Sequence, residues 1–442
     1  MNRRHILLIS YLFPPAGGVG VQRALAYARY LPECGCRVTV LSAANPSTPV
    51  LDPSLASRIP REVRVVRTFT PEVPYRWRDA IWKRLSRGKR PGTQATAPPQ
   101  AAAKPAGRGL LGRLVDLLAT PDPQKVWAPW ALRRATRLIR DSDIGTVLIN
   151  VPPFSSLAVA AELRRRFPDL LILCDYRDEF LSYYLPRLDE VGSAARYQQG
   201  AELERGAVHA ANFVSTVTEP WRQAIRNRHP DQPDSKFLCV PNGYDPAAFA
   251  GFQSRPSGGE ALRIVYVGTV YTNPVYSPKV FLDAVEGLPA AERDRLRLRF
   301  VGRIARDAEP WFEGRPFQME RCGFLPQVEA FKKLEDADCL LLIVGDENAH
   351  SGKLFEYLAT GKPILALAPK GSQVRQLMEQ TRAGWCADAG STEEIQALLR
   401  LMLERKQQNQ GLVERDEELI RSYERPRQVR RLLELAGIVE KA

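Results

Sequence analysis

Ser351-Gly-Lys-Leu-Phe-Glu-Tyr-Leu-Ala-Thr-Gly-Lys-Pro-Ile-Leu-Ala-Leu367 reads as a helix start, a short helix, a Gly-Lys-Pro turn and a buried strand. Ser351 and Gly352 leave free backbone N–H groups at the helix N-terminus, which favours an anion there. Lys353 puts a positive charge in the first turn, where a cation is disfavoured unless a phosphate compensates for it. Glu356 lies about one turn further on and is an acceptor for sugar hydroxyls. Gly361 ends the helix, Pro363 prevents its continuation, and Ile364–Leu367 begins a strand. A lysine for phosphate and a carboxylate for a ribose, on one helix mouth, describe a nucleotide-diphosphate site. As a bare motif, the same pattern also fits an amphipathic helix with Lys353 in solvent.

Upstream, the chain alternates strand and helix signals. Ile6–Ser10, Arg37–Leu41, Arg64–Arg67, Thr146–Asn150, Leu170–Tyr176, Phe213–Thr216 and Phe237–Val240 read as strands. Helices over Val21–Leu31, Leu132–Arg140, Leu157–Arg166 and Glu202–Ala210 separate them. Apolar strands joined through helices predict a mostly parallel sheet covered on both faces. Ala250–Glu260 is poor in apolar residues and marks a domain boundary. The pattern then restarts with strands Arg263–Gly268, Leu296–Val301 and Cys339–Val344, which predicts a second doubly wound domain. At 442 residues, two domains are expected.

Charge is unevenly spread. Residues 1–250 hold 35 basic and 22 acidic side chains, whereas 251–442 hold 28 of each. Arg61–Arg113 alone has 13 basic and 3 acidic residues. Within it Trp77, Ile81, Trp82 and Leu85 fall on one face of a helix over Tyr75–Arg90. Pro91–Arg108, rich in Ala, Pro and Gly, reads as disordered. A basic aromatic segment suits an anionic bilayer. A nucleic-acid role starts from the same charge but explains neither the balanced second half nor the helix-mouth lysine.

Seven scattered cysteines, several in apolar runs, suit reduced thiols in a cytoplasmic protein. The four histidines (5, 209, 229, 350) form no cluster in sequence, so a structural zinc is not expected. No run reaches the ~18–20 apolar residues of a membrane span. Met1–Phe13 imitates a secretory signal but reads as a first strand and loop.

Ligands of doubly wound domains sit beyond the carboxyl ends of the strands. The loops expected there are Pro14–Gly18, Pro152–Ser156, Asp175–Glu179, Gly268–Val270 and His350–Lys353. Gly17, Gly18 and Gly20 permit close backbone approach before a helix, although their spacing is not the dinucleotide fingerprint. Asp175-Tyr-Arg177-Asp178 supplies either a local ion pair that orders the loop or groups for a sugar hydroxyl, with Asp178 or Asp175 as base. Asp336-Ala-Asp338 precedes a strand, the wrong end for a metal at the ligand site. The cation for a diphosphate must then be Lys353, Lys279 or an arginine such as Arg303.

The blocks PPAGGVGVQRALAYARYL, VPPFSSLAVAAEL, CDYRDEF, VPNGYD, RIVYVGTV and GKLFEYLATGKPILAL together resemble a retaining glycosyltransferase of the GT-B fold, in the broad family 4-like group. The resemblance implies an α/β chain of two doubly wound Rossmann-like domains facing across a cleft. An acceptor-binding domain would span 1–250, with the basic aromatic insertion at about 75–118. A nucleotide-sugar domain would span 260–420, and a last helix in 421–442 would cross back to the first domain. The donor would meet Gly268, Thr269, Lys279, Arg303, Ser351, Gly352, Lys353, Leu354 and Glu356. Gly17, Gly18 and Arg177 would face the acceptor, with Asp178, Asp175 and Lys353 as the reacting groups. The family's first carboxylate is Asn348 here, with Asp346 or Glu347 nearby, and Thr269 replaces an arginine common after the glycine.

The implied co-substrate is a nucleotide-diphosphate sugar, with no metal or other cofactor. The implied acceptor is a lipid-linked glycan or other glycan in cell-surface polysaccharide assembly, and no nucleic acid is involved. The protein would sit in the cytoplasm, peripheral on the cytoplasmic face of the inner membrane. A nucleotide-sugar epimerase or an inactive scaffold of the same architecture is the alternative.

Overall fold

The computed structural model describes residues 1–48, 50–72, 121–188, 194–255, 258–273, 277–408 and 410–440. The basic aromatic helix expected over Tyr75–Arg90, and the Pro91–Arg108 stretch after it, lie outside the described residues. Two compact units are formed: Met1–Pro241 with Pro426–Ala442, and Asn242–Arg425.

The first unit is built on a seven-stranded sheet: β1 (Asn2–Ile9), β2 (Arg37–Ala43), β3 (Arg64–Thr68), β4 (Ile144–Val151), β5 (Leu171–Tyr176), β6 (Phe213–Thr216) and β7 (Phe237–Cys239). All pairs are parallel, in the order β3-β2-β1-β4-β5-β6-β7. Every residue of β4 is buried, as a central strand covered on both faces requires. One face packs Leu7, Ile9, Val147 and Ile149 against the helices Ala128–Asp141, Ala158–Arg166 and Ala194–Ala210. The other packs Ile6, Leu8 and Val38 against the helix Val19–Tyr30.

The last helix, Arg425–Leu435, joins that second face, inserting Val429, Leu432 and Leu433 among Ile6, Leu8 and Val240. Its four arginines (Arg425, Arg427, Arg430, Arg431) alternate with buried Gln428, Val429, Leu432 and Leu433 at helical spacing, so only one stripe is buried.

The second unit has a six-stranded parallel sheet: β8 (Leu262–Val267), β9 (Leu296–Val301), β10 (Gln318–Gly323), β11 (Cys339–Ile343), β12 (Ile364–Leu367) and β13 (Gly384–Ala387). Its order is β10-β9-β8-β11-β12-β13. β10 and β13 form the two edges and had no counterpart in the sequence reading. The domain change predicted within Ala250–Glu260 differs from the observed division after Pro241. Tyr244 N–H donates to the Tyr423 carbonyl (3.1 Å) and Arg425 N–H to the Tyr244 carbonyl (2.8 Å), which holds Asn242–Tyr244 in the second unit. Phe249 then stacks on Phe331 with ring centroids 4.7 Å apart, so the apolar content of 242–252 is spent there.

Candidate functional site

In each sheet the strand order reverses once, between β1 and β4 and between β8 and β11. The loops leaving such a pair of strands diverge and open a crevice at their carboxyl ends. In the second unit these loops are Gly268–Val270 after β8 and Val344–Ser351 after β11.

The helix Gly352–Ala359 starts at the end of the second loop. Ser351 is its N-cap residue, with no side-chain capping bond, and the first turn holds no acid. Leu354 N–H donates to the Ser351 carbonyl (3.1 Å), while the N–H groups of Gly352 and Lys353 meet no protein acceptor among the described residues. The loop before it is set by Asp346, whose carboxylate accepts from the N–H groups of Asn348 and Ala349, both at 2.8 Å. Tyr357 ties the helix to β8 by accepting from Val267 N–H (2.9 Å). The mouth is therefore rigidly mounted and its donors point away from the core.

Lys353 bends back over the ring of Tyr266, Nζ lying 4.9 Å from the centroid and 3.5 Å from the hydroxyl. That hydroxyl donates to the Thr269 carbonyl (3.2 Å). No carboxylate lies within ion-pair distance of Lys353 among the described residues; its near contacts are the ring and hydroxyl of Tyr266. Gly268 makes this placement possible. Its φ is +146°, and a Cβ there would fall 1.9 Å from Lys353 Nζ. Gly268, expected to meet the donor, gives its N–H to the Val301 carbonyl (2.8 Å). Its contribution is room for the lysine, not a donor.

Glu356 is half-buried on the same helix and accepts no hydrogen bond among the described residues. Burial raises its pKa above the usual carboxylate range, and Arg425 and Lys353 oppose that rise. A half-buried acceptor without protein donors is suited to ligand hydroxyls. His350 precedes the mouth, edge-on to Phe355 at 5.6 Å, and its buried Nδ1 has no partner. Burial drives its pKa down to about 4, against a hydrogen bond to the Gln373 backbone.

An ordinary imidazole titrates near 6.5. Between that pH and about 4 the unfolded chain takes up a proton that folded His350 refuses, so stability falls as pH falls through this window. The urea midpoint should drop on acidification from pH 6.5 to 4, and His350→Gln should flatten that slope. An unchanged slope in the variant would assign the effect elsewhere.

The other donor-side candidates are dispersed. Leu354 is fully buried in the core, so only its backbone belongs to the mouth. Lys279 opens the helix Lys279–Glu286 and is paired with Asp283 (2.6 Å) at the surface. Arg303 is exposed and lies 5.0 Å over the Phe324 ring. Asp336 pairs with Arg263 and Arg299, and Asp338 with Lys406 (2.7 Å), so both serve the far end of the sheet.

In the first unit the loop after β1 contains a cis Pro14–Pro15 bond, and that after β4 contains cis Val151–Pro152 and Pro152–Pro153 bonds. Gly17 N–H donates to the Val50 carbonyl (3.0 Å), and a Cβ there would crowd Val50 and Asp52. Gly17 thus serves packing, whereas Gly18 (φ +85°) faces open space. Arg177 crosses the start of the Val19–Tyr30 helix, where a Cβ on Gly20 would lie 3.0 Å from its Nη1. It pairs with half-buried Asp178 (3.1 Å).

Asp175 is not available as a base. It is fully buried and accepts from Arg23 Nε (2.7 Å) and Nη2 (2.8 Å), Tyr27 Oη (2.9 Å) and Ser215 Oγ (2.7 Å). All its lone pairs are committed, so it clamps the Val19–Tyr30 helix to β5 and β6. Glu179, which the sequence reading passed over, is equally buried. It accepts from the N–H groups of Leu181, Ser182 and Tyr183, capping the turn Phe180–Tyr184, and pairs with Arg228. Only its place after a strand and before an aromatic run could have marked it.

Residues 261–405 match the family described as Glycosyl transferases group 1. No curated protein matches the chain in sequence. Among solved structures, Anabaena HepE in complex with UDP is 12% identical, with TM-score 0.60, over 98% of this chain and 100% of that one. A glycosyltransferase from Rickettsia africae is 12% identical, TM-score 0.61, over 100% of both chains. The lipopolysaccharide outer core galactosyltransferase WaaB, in apo form, is 12% identical, TM-score 0.58, over 98% of this chain and 99% of that one. With its two parallel sheets, this chain is a two-domain α/β protein of the GT-B fold, and its second unit carries the Glycosyl transferases group 1 match.

Proposed function

We propose that the protein transfers a sugar from a nucleotide-diphosphate donor to a hydroxyl acceptor, with the anomeric configuration retained. The observation that carries this is the mouth of the Gly352–Ala359 helix. There an unpaired lysine, two open N–H groups and a donor-free carboxylate converge at the reversal point of a sheet within the matched domain. The lysine and N–H groups suit a pyrophosphate, and Glu356 suits the hydroxyls of its ribose. As the sugar leaves, negative charge grows on the diphosphate, and these fixed donors stabilise it without reorganisation. The UDP held by HepE supports a uridine nucleotide among the donors to be tried first.

The first unit takes the acceptor in this reading, with Gly18, Arg177 and Asp178 as its polar loop groups. A lipid-linked glycan in cell-surface polysaccharide synthesis fits the basic segment Arg61–Arg113, since each basic side chain near an anionic leaflet contributes about 1 kcal/mol. No helix among the described residues is long and apolar enough to cross a membrane. Peripheral attachment to the cytoplasmic leaflet is therefore the form of membrane contact proposed.

The test is nucleotide release from a panel of UDP-, GDP- and ADP-sugars, with and without a lipid-linked acceptor in anionic vesicles. Release that needs the acceptor, with the sugar recovered on it, is expected. Conversion of the donor's sugar without transfer would favour the epimerase reading, and no turnover of any donor would overturn the proposal.

A further inference from the structure

The histidines that are scattered in sequence do not stay apart in space. His209, in the last turn of the Ala194–Ala210 helix, and His229, just past the Glu219–Arg228 helix, come together with Asp231. One potential ligand atom from each lies within 4.8 Å of the others. His209 Nε2 is already 3.2 Å from Asp231 Oδ2. Two ligands of a tetrahedral zinc are separated by roughly this distance, given Zn–N and Zn–O bonds of about 2.0–2.2 Å. Asp231 Oδ2 also accepts from Gln232 Nε2 (2.9 Å), and Gln232 N–H donates to the His229 carbonyl (3.1 Å), which fixes the turn.

A second observation comes from behind the cluster. His229 is buried, with Nε2 3.2 Å from Oε1 of fully buried Glu204. An ionised carboxylate only accepts, so the ring proton belongs on Nε2, and Nδ1 keeps its lone pair. A histidine oriented by a carboxylate through its other nitrogen is the usual support of a zinc ligand. Glu204 and Glu179 share Arg228, so two buried carboxylates face one guanidinium. That leaves one formal negative charge for a cation beyond His229 to meet. Arg205 and Lys236 lie close by and oppose loosely held cations, but imidazole ligands bind through directed lone pairs.

We propose that His209, His229 and Asp231 bind a divalent transition ion of the zinc class, with water completing the coordination. The ion joins the end of one helix to the turn after another. Through His229, Glu204, Arg228 and Glu179 it also buttresses the Phe180–Tyr184 turn next to Arg177 and Asp178.

Full-length protein stripped with a chelator and dialysed is titrated with ZnCl2 in a calorimeter, with MgCl2 as control. One equivalent of zinc should bind and raise the melting midpoint, and magnesium should do neither. His209→Ala and Asp231→Asn, both at exposed positions, should each weaken zinc binding at least tenfold and abolish the midpoint shift. Cys34→Ser should change nothing. Absence of zinc binding overturns the proposal, as does binding unaltered in both ligand variants or lost in Cys34→Ser.

Discussion

Lys353→Ala should lower turnover with the best nucleotide-sugar by ~10²–10³, the usual cost of removing one well-placed donor to a leaving anion. Lys353 has the position of a charge waiting for a partner: it rests on Tyr266 and is met by no carboxylate among the described residues. The loss should fall on kcat, because in the proposed transfer the interaction would strengthen as the diphosphate departs. Melting should be little affected, since the half-buried side chain makes only a long 3.5 Å contact with the Tyr266 hydroxyl and lies over its ring. Gly268→Ala provides an independent arm. Its new methyl would occupy the place of Nζ, which lies only 1.9 Å from a built Cβ, so the lysine must swing aside. It should lower turnover in the same direction without removing any charge. Activity of Lys353→Ala within about twofold of wild type would refute the assignment of this mouth to phosphate.

Asp175→Ala should cost ~3–5 kcal/mol of stability, the range for breaking a buried ion pair by deleting one partner. Arg23 would remain buried without its carboxylate partner, although it also donates to the Val240 (3.1 Å) and Pro241 (3.3 Å) carbonyls. Asp175→Asn should lose a comparable amount, because the amide restores shape but not charge. Replacing both partners together, as Arg23→Met with Asp175→Leu, should recover most of the loss. Apolar substitutes leave no uncompensated charge behind. Denaturant melts of the four proteins decide the matter. If Asp175→Asn melts like wild type and yet loses activity, the residue is a reacting group after all and the clamp described above is secondary.

Asp175 also shows what a linear reading of these residues misses. The tetrapeptide Asp175-Tyr-Arg-Asp178 offered two carboxylates and a neighbouring arginine, so a local pair was the natural partner. Arg177 does take Asp178, but the partner of Asp175 is 152 positions away on the first helix. Separation of that kind carries no spacing signal. The same holds for His209 and His229, which are joined only by the packing of two helices. The central strands, by contrast, were plain in the sequence because burial on both faces demands unbroken apolar runs such as Val147–Ile149 and Leu340–Ile343. β10 escaped because Gln318-Met-Glu-Arg-Cys-Gly323 is a polar edge, bonded on one side only. β13 is short and follows a helix, Gln373–Thr381, that was likewise not anticipated. The start of the Gly352–Ala359 helix was legible because its signals, Ser351-Gly352 before it and Gly361 after it, are local. What the structure altered there is the role of Gly268, which depends on where a distant lysine comes to rest.

The return of Arg425–Leu435 to the first unit has a consequence during synthesis. The amino-terminal sheet emerges from the ribosome with Ile6, Leu8 and Val38 still missing the side chains that will cover them. About 200 further residues must be translated before those arrive, which takes ~10–40 s at ordinary elongation rates. The unit made first is therefore the one finished last, and its half-covered face is where a nascent-chain chaperone would be needed.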